Sequence, residues 1–430
     1  MREHLYTRDD VALHSKKGDI WVTIRNKVYD VSKFADYHPG GINPLLAVGG
    51  RDATLEFVNF HPETIVNQLC NYEIGSLQDY KKSDLEKEYI ILRDSILKEG
   101  LFITDMKFYI VEWSRILIIF ILALYLSLST ENFTLIGAIF LGIFWQQAAF
   151  TGHDTGHNSI THVRINDSKL GLIAGNLLTG ISMAWWKKSH NVHHVNPNCI
   201  EEDPDIQHLP LLAVTDEILG HGFYSIFHKR WMEADPIALR LISIQHFLFY
   251  PIMCLARFNL YVQSFVVVLS QHDKIAYRTA ELFTLGAFWI WFLSLVYASC
   301  NGSLLMSITY IMVSHSIAGI LHVQICLSHF SMLTYSKEKN ALDWVRKQCL
   351  TTLNIDCNPW LDWFHGGLQF QLEHHLFPRL PRHNLRRISP LVRDLCKRHQ
   401  INYRSLSWLR AQAELVVHLR DRAKSAVNYF

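Results

Sequence analysis

Four apolar runs, arranged as two close pairs, constrain the fold of this 430-residue chain more than any other feature. Within each pair the connection is short and carries no Lys or Arg; the runs span residues 116–128 and 133–150, then 282–300 and 303–327. A helix that crosses a bilayer needs about 20 residues, and flanking residues can extend the shorter runs to that length. In lipid, such segments satisfy their backbone hydrogen bonds as helices. The sequence therefore predicts an all-α membrane body with four transmembrane helices.

The distribution of basic residues predicts the orientation of this body. Lys and Arg are frequent outside the two short connections, so the positive-inside rule predicts that residues 129–132 and 299–303 are lumenal. Both termini and a cap built from the remaining segments are then cytosolic. A further apolar stretch, 237–269, is interrupted by four polar or helix-breaking residues: Arg240, His246, Pro251 and Arg257. This pattern indicates helices that lie in the membrane interface rather than additional spans.

Composition excludes several classes of protein. The net charge is only +2, which argues against a nucleic-acid partner. The eight cysteines form no CxxC pair, so we expect buried thiols of a reducing compartment. The first ten residues, MREHLYTRDD, have no apolar core, and no cleavable signal peptide is expected. Because charged residues are dense in the first hundred positions, the sequence predicts a soluble module ahead of the membrane body.

The soluble module, at residues 1–76, carries a motif for axial haem ligation. His38 is followed by Pro39 and two glycines, and His61 comes 23 residues later. Two imidazoles that face each other across a haem fill both axial positions, and such a haem transfers single electrons. Alternating residues at 19–24 and 28–31 predict two short strands around a polar turn, as in a compact α+β unit. The alternative is two surface histidines in unrelated loops.

Residues 79–100 are strongly charged with a few aliphatic residues at helical spacing. We expect them to form a helical linker, lying in solvent or on the membrane surface.

Histidine is unusually frequent, with 24 residues, and three clusters fall on the predicted cytosolic side. The clusters contain seven histidines: His153, His157, His190, His193, His194, His374 and His375. Spacings of three and four residues bring imidazoles to one helical face, where they can converge on a metal. Seven ligands exceed the needs of one ion, whereas two iron ions need eight or nine. His322 and His329 are candidates for the remainder, while His315 is predicted to be structural.

Iron fits this arrangement chemically. Removal of hydrogen from an unactivated methylene requires an oxidant stronger than any side chain, and reduced iron can activate dioxygen to make one. Each turnover then needs two external electrons, which a haem module can deliver. The predicted haem module and the predicted iron site therefore fit one reaction, because the haem can supply the electrons that the iron site consumes.

The whole chain resembles the front-end lipid desaturases that are fused to cytochrome b5. The resemblance is carried by four motifs: HPGG at 38–41, HDTGH at 153–157, HNVHH at 190–194 and QLEHH at 371–375. It implies a cytochrome b5-like α+β domain at 1–76, a linker at 77–104 and a membrane di-iron desaturase domain at 105–430. It also implies haem b, two iron ions, the endoplasmic reticulum membrane and electrons from NADH-cytochrome b5 reductase.

Residue by residue, the resemblance implies that His38 and His61 ligate the haem and that the seven clustered histidines ligate iron. His329 matches a family position that follows Asn, although Ser328 precedes it here. Gln371 marks the front-end group and is either a weak iron ligand or the holder of a bound water.

The substrate is predicted from shorter stretches. Those at 180–186, 207–210, 370–381 and 403–408 resemble plant sphingoid-base delta-8 desaturases, whereas His365 in WFHGG is similar to the delta-6 acyl-lipid enzymes. A sphingoid-base delta-8 desaturase is favoured, with delta-6 or delta-5 fatty-acyl chemistry as the alternative. A lipid hydroxylase and a non-enzymatic haem-containing lipid-binding protein are more remote. Trp185 and Trp186 are read equally as an interfacial aromatic belt or as substrate contacts.

Overall fold

The computed structural model describes residues 4–337 and 342–429, so residues 1–3 and 430, at the outer ends of the predicted domains, lie outside it. Its strands are β1 (Leu5–Tyr6), β2 (Ser15–Lys16), β3 (Asp19–Ile24), β4 (Lys27–Asp30), β5 (Glu73–Leu77), β6 (Phe223–Ser225), β7 (Arg230–Met232), β8 (Asn354–Asp356) and β9 (Ser405–Ser407). Its first ten helices are α1 (Arg8–Ala12), α2 (Ile42–Val48), α3 (Thr54–Phe60), α4 (Val66–Leu69), α5 (Asp84–Lys98), α6 (Met106–Ser129), α7 (Glu131–Gly156), α8 (Arg164–Gly171), α9 (Met183–Val195) and α10 (Glu217–Gly220). The later helices are α11 (Pro236–Ile242), α12 (Gln245–Leu269), α13 (Arg278–Ser299), α14 (Leu304–Ala318), α15 (Ile320–Leu327), α16 (Trp344–Thr351), α17 (Asp362–His365), α18 (Gln371–Leu376), α19 (Leu385–Arg398) and α20 (Trp408–Val427).

The N-terminal module is built on a five-stranded sheet with the order β1-β5-β4-β3-β2. The predicted hairpin is present: Ile24 pairs with Lys27, and the turn residues Arg25 and Asn26 have φ of 51° and 78°. Positive φ at both central residues matches the twist of the flanking strands. β5 ends at Leu77, so the predicted boundary at residue 76 falls inside the last strand of the sheet.

The predicted linker is helical, but its expected place in solvent or on the membrane surface is wrong. Ser83 caps α5, with a reciprocal contact to Glu86. Leu85, Tyr89 and Ile96 are spaced so that they share one face of the helix, and all three are buried in a core with residues of α16, α18 and α19. The Tyr89 hydroxyl donates to the Leu376 carbonyl over 2.6 Å. The charged residues cover the outer face of a helix whose inner face packs against the C-terminal helices.

Five helices of the described part of the chain are long and apolar enough to cross a membrane: α6, α7, α12, α13 and the consecutive pair α14–α15. Four of these match the predicted runs, which extend beyond the helices by no more than one residue. The fifth, α12, covers most of the stretch predicted to lie in the interface, and Pro251 sits inside it without ending it. These five helices qualify by length and composition only, so the number of four crossings stays a prediction.

The two predicted hairpins pack side by side with their turns together. Asn301 Nδ2 donates to Glu131 Oε1 over 3.3 Å, and the hydroxyls of Ser127 and Tyr310 are 2.8 Å apart. The opposite ends of α7 and α15 point towards the histidine clusters. Beyond these ends, α16 and α19 pack on α18, which carries the third cluster, while α20 packs on α11, α12 and the β8–β9 pair; the C-terminal segment from α16 to α20 is called the cap below.

Candidate metal centres

The haem motif forms a slot between two imidazoles. His38 follows a short 3-10 turn, and its Nδ1 donates to the Gly41 carbonyl over 2.8 Å. His61 caps the C-terminus of α3, and its Nδ1 donates to the Phe57 carbonyl over 3.0 Å. The two rings lie on opposite sides of the slot, with centroids 6.0 Å apart and planes tilted by 47°. Since each Nδ1 is engaged, each ring presents Nε2 to the slot.

The slot suits a haem iron with two axial imidazoles. Desolvation lowers the pKa of His38, and it lowers the pKa of His61 to about 4, so both rings are neutral and able to ligate. A Cβ at Gly40 would lie 2.9 Å from His38 Cε1, which explains why glycine follows Pro39. Both donor identity and charge state fit the group that the motif predicts.

The three histidine clusters converge, and their members divide into two adjoining groups. The first group contains five histidines with one ring nitrogen of each within 4.8 Å of the others: His153, His157, His190, His194 and His374. His194 Nε2 is 3.0 Å from His190 Nε2 and 3.1 Å from His374 Nε2. The Nε2 atoms of His153 and His157 are buried without a hydrogen-bond partner. Unpaired buried ring nitrogens that point into one space are the donor set of a metal site.

The second group consists of His193, His329 and His375. Gln371 lies among them, because its Nε2 is 3.0 Å from His329 Nε2 and 3.1 Å from His375 Nε2. The Gln371 Oε1 atom is buried without a partner. The His194 and His375 rings stack at 4.2 Å, so the two groups are in direct contact. The arrangement suits two neighbouring metal ions.

His322 and His329 were the candidates for the remaining ligands, and the ligand role of His322 stays a prediction. His322 lies within α15, whereas α15 ends at Leu327 and His329 lies in the turn that follows it. Among the described residues, His322 joins neither histidine group. His315 is tied to a neighbouring helix, as expected: its Nε2 lies 3.2 Å from the Tyr261 hydroxyl of α12.

Hydrogen-bond acceptors orient the second group, and the sequence analysis did not identify them. His193 Nδ1 donates to Asp203 Oδ2 over 2.9 Å, His329 Nδ1 to the Thr351 carbonyl over 3.1 Å, and His375 Nδ1 to Gln348 Oε1 over 2.8 Å. Such partners direct Nε2 towards the metal and raise its basicity. The acidic Asp203-Pro204-Asp205 segment, just after the second cluster, was an available signal. No pattern in the sequence indicated Gln348 or Thr351 as acceptors.

The charge of His193 reflects the same carboxylates. Burial by itself lowers the pKa of this imidazole, but Asp203 and Asp205 more than offset it and raise the pKa to about 9. The negative charge of Asp203 and Asp205, which favours a proton on His193, would also favour a metal cation at this site.

Glu373 holds the third cluster in position. Its carboxylate is fully buried and accepts hydrogen bonds from Asn354 Nδ2 and the Tyr403 hydroxyl, both over 2.7 Å. The Asn354 side chain also accepts from the Leu372 backbone over 2.9 Å. Burial raises the pKa of Glu373. α18 is therefore anchored between β8 and the segment before β9.

Trp186 forms a wall of the first group. Its ring lies 4.3 Å from His190, 5.2 Å from His157 and 5.5 Å from His153, measured between centroids. A Cβ at Gly156 would overlap this ring, so the glycine of the first motif makes room for it. Trp185 packs instead with the membrane helices. The two tryptophans therefore have different surroundings.

Two protein families match the chain. The model described as "Fatty acid desaturase" matches residues 132–407, and the one described as "Cytochrome b5-like Heme/Steroid binding domain" matches residues 7–86. Delta(8)-fatty-acid desaturase 2 of Arabidopsis thaliana is 40% identical over 99% of this chain and 94% of that protein. Acyl-lipid (9-3)-desaturase of Borago officinalis is 39% identical over 98% and 94%. Delta 8-(E)-sphingolipid desaturase of Komagataella phaffii is 39% identical over 89% and 70%.

Proposed function

The chain belongs to the fatty acid desaturase family and carries a cytochrome b5-like domain, and we propose that it introduces the delta-8 double bond into the sphingoid base of membrane lipids. It is an oxidoreductase of the membrane. The observation that carries the proposal is the pair of adjoining buried histidine groups, on a chain that aligns almost end to end with delta-8 desaturases. A sphingolipid desaturase among the relatives favours this substrate.

The proposal gives each cofactor a place that the residue arrangement supports. His38 and His61 would hold haem b, five histidines of the first group would hold one iron ion, and the second group with Gln371 would hold another. When bound, the iron pair supplies the oxidising power, drawn from dioxygen, that removes two hydrogens from adjacent methylenes. Asp203, Gln348 and Thr351 keep the imidazoles of the second group aligned. Trp186 covers one side of the first group.

The shared position of two helix ends supports the proposal of four membrane crossings. His157 caps α7, and His329 follows α15, yet both belong to the same centre. An even number of crossings must therefore separate them, and α13 and α14–α15 supply two. α12 then begins and ends on the histidine side: its first residue, Gln245, donates to the Leu419 carbonyl in the cap over 3.0 Å. After it, Asp273 pairs with Lys188 of α9 over 2.7 Å.

The proposed setting is the endoplasmic reticulum membrane, with both termini and the metal centres in the cytosol and NADH-cytochrome b5 reductase as the electron source. A glycosylation acceptor in a lengthened loop at Gly302 should be modified in microsomes, whereas one at Asn198 should not. Modification at Asn198 would put the second cluster in the lumen and contradict this orientation.

Lipid profiling of a host that lacks delta-8 desaturation tests the substrate. Expression of the chain should yield 8,9-unsaturated sphingoid bases after hydrolysis, and the His194→Ala variant should not. The second candidate is an acyl-lipid desaturase, favoured by the 39% identity to the Borago enzyme. New unsaturation in fatty acids with unchanged sphingoid bases would replace the proposal by that candidate, and products heavier by one oxygen would indicate a hydroxylase.

A further inference from the structure

The haem module packs directly on the helix that carries the second histidine cluster. α2 of the module lies along α9, and Val195 of α9 is part of the module's hydrophobic core. Asn196 Nδ2 donates to the Ala47 carbonyl over 3.4 Å. From α5, Arg93 Nη2 donates to the Val58 carbonyl over 2.8 Å. The module is therefore seated on the desaturase body at several points rather than tethered by the linker alone.

One contact joins the haem motif to the second cluster. Asn191, which stands between His190 and His193 in the sequence, donates from Nδ2 to the Gly40 carbonyl over 3.4 Å. A Cβ at Gly40 would lie 2.9 Å from His38 on one side and 3.6 Å from Asn191 Nδ2 on the other. The haem-ligand loop and the iron-ligand helix thus meet without any intervening layer.

A second contact joins the two sets of candidate ligands through one aromatic ring. Phe60 directly precedes His61, and its ring meets the His194 ring edge to face, with centroids 6.1 Å apart and planes at 88°. Phe60 also packs in the core that contains Val195. Between an axial haem ligand and a histidine of the first group there is only the Phe60 side chain and one peptide link.

We propose that this docked position is the one in which electrons pass, and that Phe60 is the positioning residue that couples the haem to the first histidine group. The inference rests on the proposed metal assignments. Electron transfer weakens steeply when covalent paths and packed contacts are replaced by open space, so the shortest packed route dominates. Each transfer moves one electron: one ferrous haem becomes ferric as one ferric ion of the histidine centre becomes ferrous, and no bond forms or breaks.

The other side of the slot offers a matched control. The Phe34 ring lies 5.8 Å from the His38 ring and 5.4 Å from Tyr72, both within the haem module. Phe34→Leu and Phe60→Leu therefore make the same chemical change beside the two axial ligands. Of the two phenylalanines, Phe60 is the one whose ring meets the histidine centre.

The test follows the haem spectrum in full-length, metal-loaded protein under anaerobic conditions. A flash-excited flavin reduces the haem, and the decay of the reduced-haem band reports electrons that leave for the histidine centre. Metal-depleted protein sets the background. Phe60→Leu should slow the decay by about tenfold, equivalent to about 1.4 kcal/mol of added barrier, while Phe60→Tyr keeps the ring and the rate. The haem midpoint potential should be the same in all variants.

Hydrogen exchange in metal-free protein measures the docking of the haem module on α9 independently of electron transfer. Asn191→Ala should increase exchange in residues 42–48 and slow the electron decay, because it removes the bond to Gly40. An unchanged decay in Phe60→Leu, or an equal slowing in Phe34→Leu, would overturn the role of Phe60. Unchanged exchange and decay in Asn191→Ala would overturn the docked position.

The outcome is separable from the proposed function. Haem oxidation by the histidine centre without an 8,9-unsaturated product would leave the electron route standing and remove the substrate assignment. Formation of the 8,9-unsaturated product, together with an unchanged decay of the reduced haem in Phe60→Leu, would support the substrate assignment and overturn the electron route through Phe60. Loaded wild-type protein that decays no faster than the metal-depleted background would overturn both.

Discussion

The haem slot and the histidine centre orient their imidazoles through acceptors at very different distances along the chain. In the slot, His38 bonds to a carbonyl three residues away and His61 to one four residues away. In the second histidine group, the acceptors for His193, His329 and His375 are 10, 22 and 27 residues away. A short motif can therefore build the slot, whereas only the folded body can build the histidine centre.

This difference also determines how far the effects of a mutation should spread from each centre. Loss of His38 or His61 should leave the ligands of the histidine centre in place, because the acceptors that orient these two rings are backbone atoms of the module's own loops. Changes in the body should reach the histidine centre through several elements at once, since α7, α9, α16 and α18 all contribute to it.

The largest expected effect is that a mutation in either metal centre removes the metal of that centre and leaves the other centre intact. His194→Ala should abolish desaturation and lower iron content while the haem spectrum is unchanged, because His194 contacts both His190 and His374 at the middle of the first group. His61→Ala should abolish the low-spin haem spectrum and leave the other iron in place. Metal analysis and absorbance spectra measure both, with the exposed His272→Ala as control. Loss of haem in His194→Ala would contradict the separation.

The next effect concerns the wall of the first group. Gly156→Ala should displace Trp186, reduce activity strongly and cost about 1–3 kcal/mol of stability, the usual penalty for overpacking. Gly286→Ala is the control, since a Cβ at that helical position has open space around it. Thermal unfolding and product yield are the measurements. If both variants behaved alike, the close approach of Trp186 to Gly156 would be wrong.

A smaller effect tests the distant acceptors. Asp203→Asn keeps the shape of the side chain but removes the negative charge that orients His193, and metal affinity should fall by about 10–100-fold. The haem spectrum should not change. Competition with a chelator measures the affinity, and Asp356→Asn, an exposed carboxylate on β8, is the control. Equal metal retention in both variants would show that Asp203 does not support the site.

The smallest effect is expected in the slot itself. A fragment ending at residue 82 retains β5 and should bind haem with the spectrum of the full chain. Its melting temperature should be lower by about 5 °C, because loss of the Val195 and Arg93 contacts removes about 1 kcal/mol from a domain of this size. Melting followed in the haem band measures this. A fragment that fails to bind haem would show that the slot also depends on the body.

Much of both centres could be predicted from the sequence because a ligand's identity and its near neighbours are local properties. The hairpin at Arg25 and Asn26, the two haem-motif histidines and the three clusters are all visible as short patterns. His322 and His329 were both candidates in the same apolar run, but α15 ends at Leu327, and of the two only His329, beyond that end, joins a histidine group of the described residues. α5 was predicted to lie in solvent or on the membrane surface because its charge outweighed the three apolar positions that pack with α16, α18 and α19.

By itself the sequence determined that seven histidines lie in three short clusters, at spacings that let imidazoles converge on a metal. It did not determine how these histidines divide between two groups, since His190 and His193 are three residues apart yet belong to different groups. Tertiary structure alone decided which partners they meet: His194 joins His374, while His193 joins His329 and His375. It also decided that Phe60 meets His194. The physical reason is that these contacts join segments far apart in the chain, and their proximity depends on the packing of whole helices rather than on any local pattern.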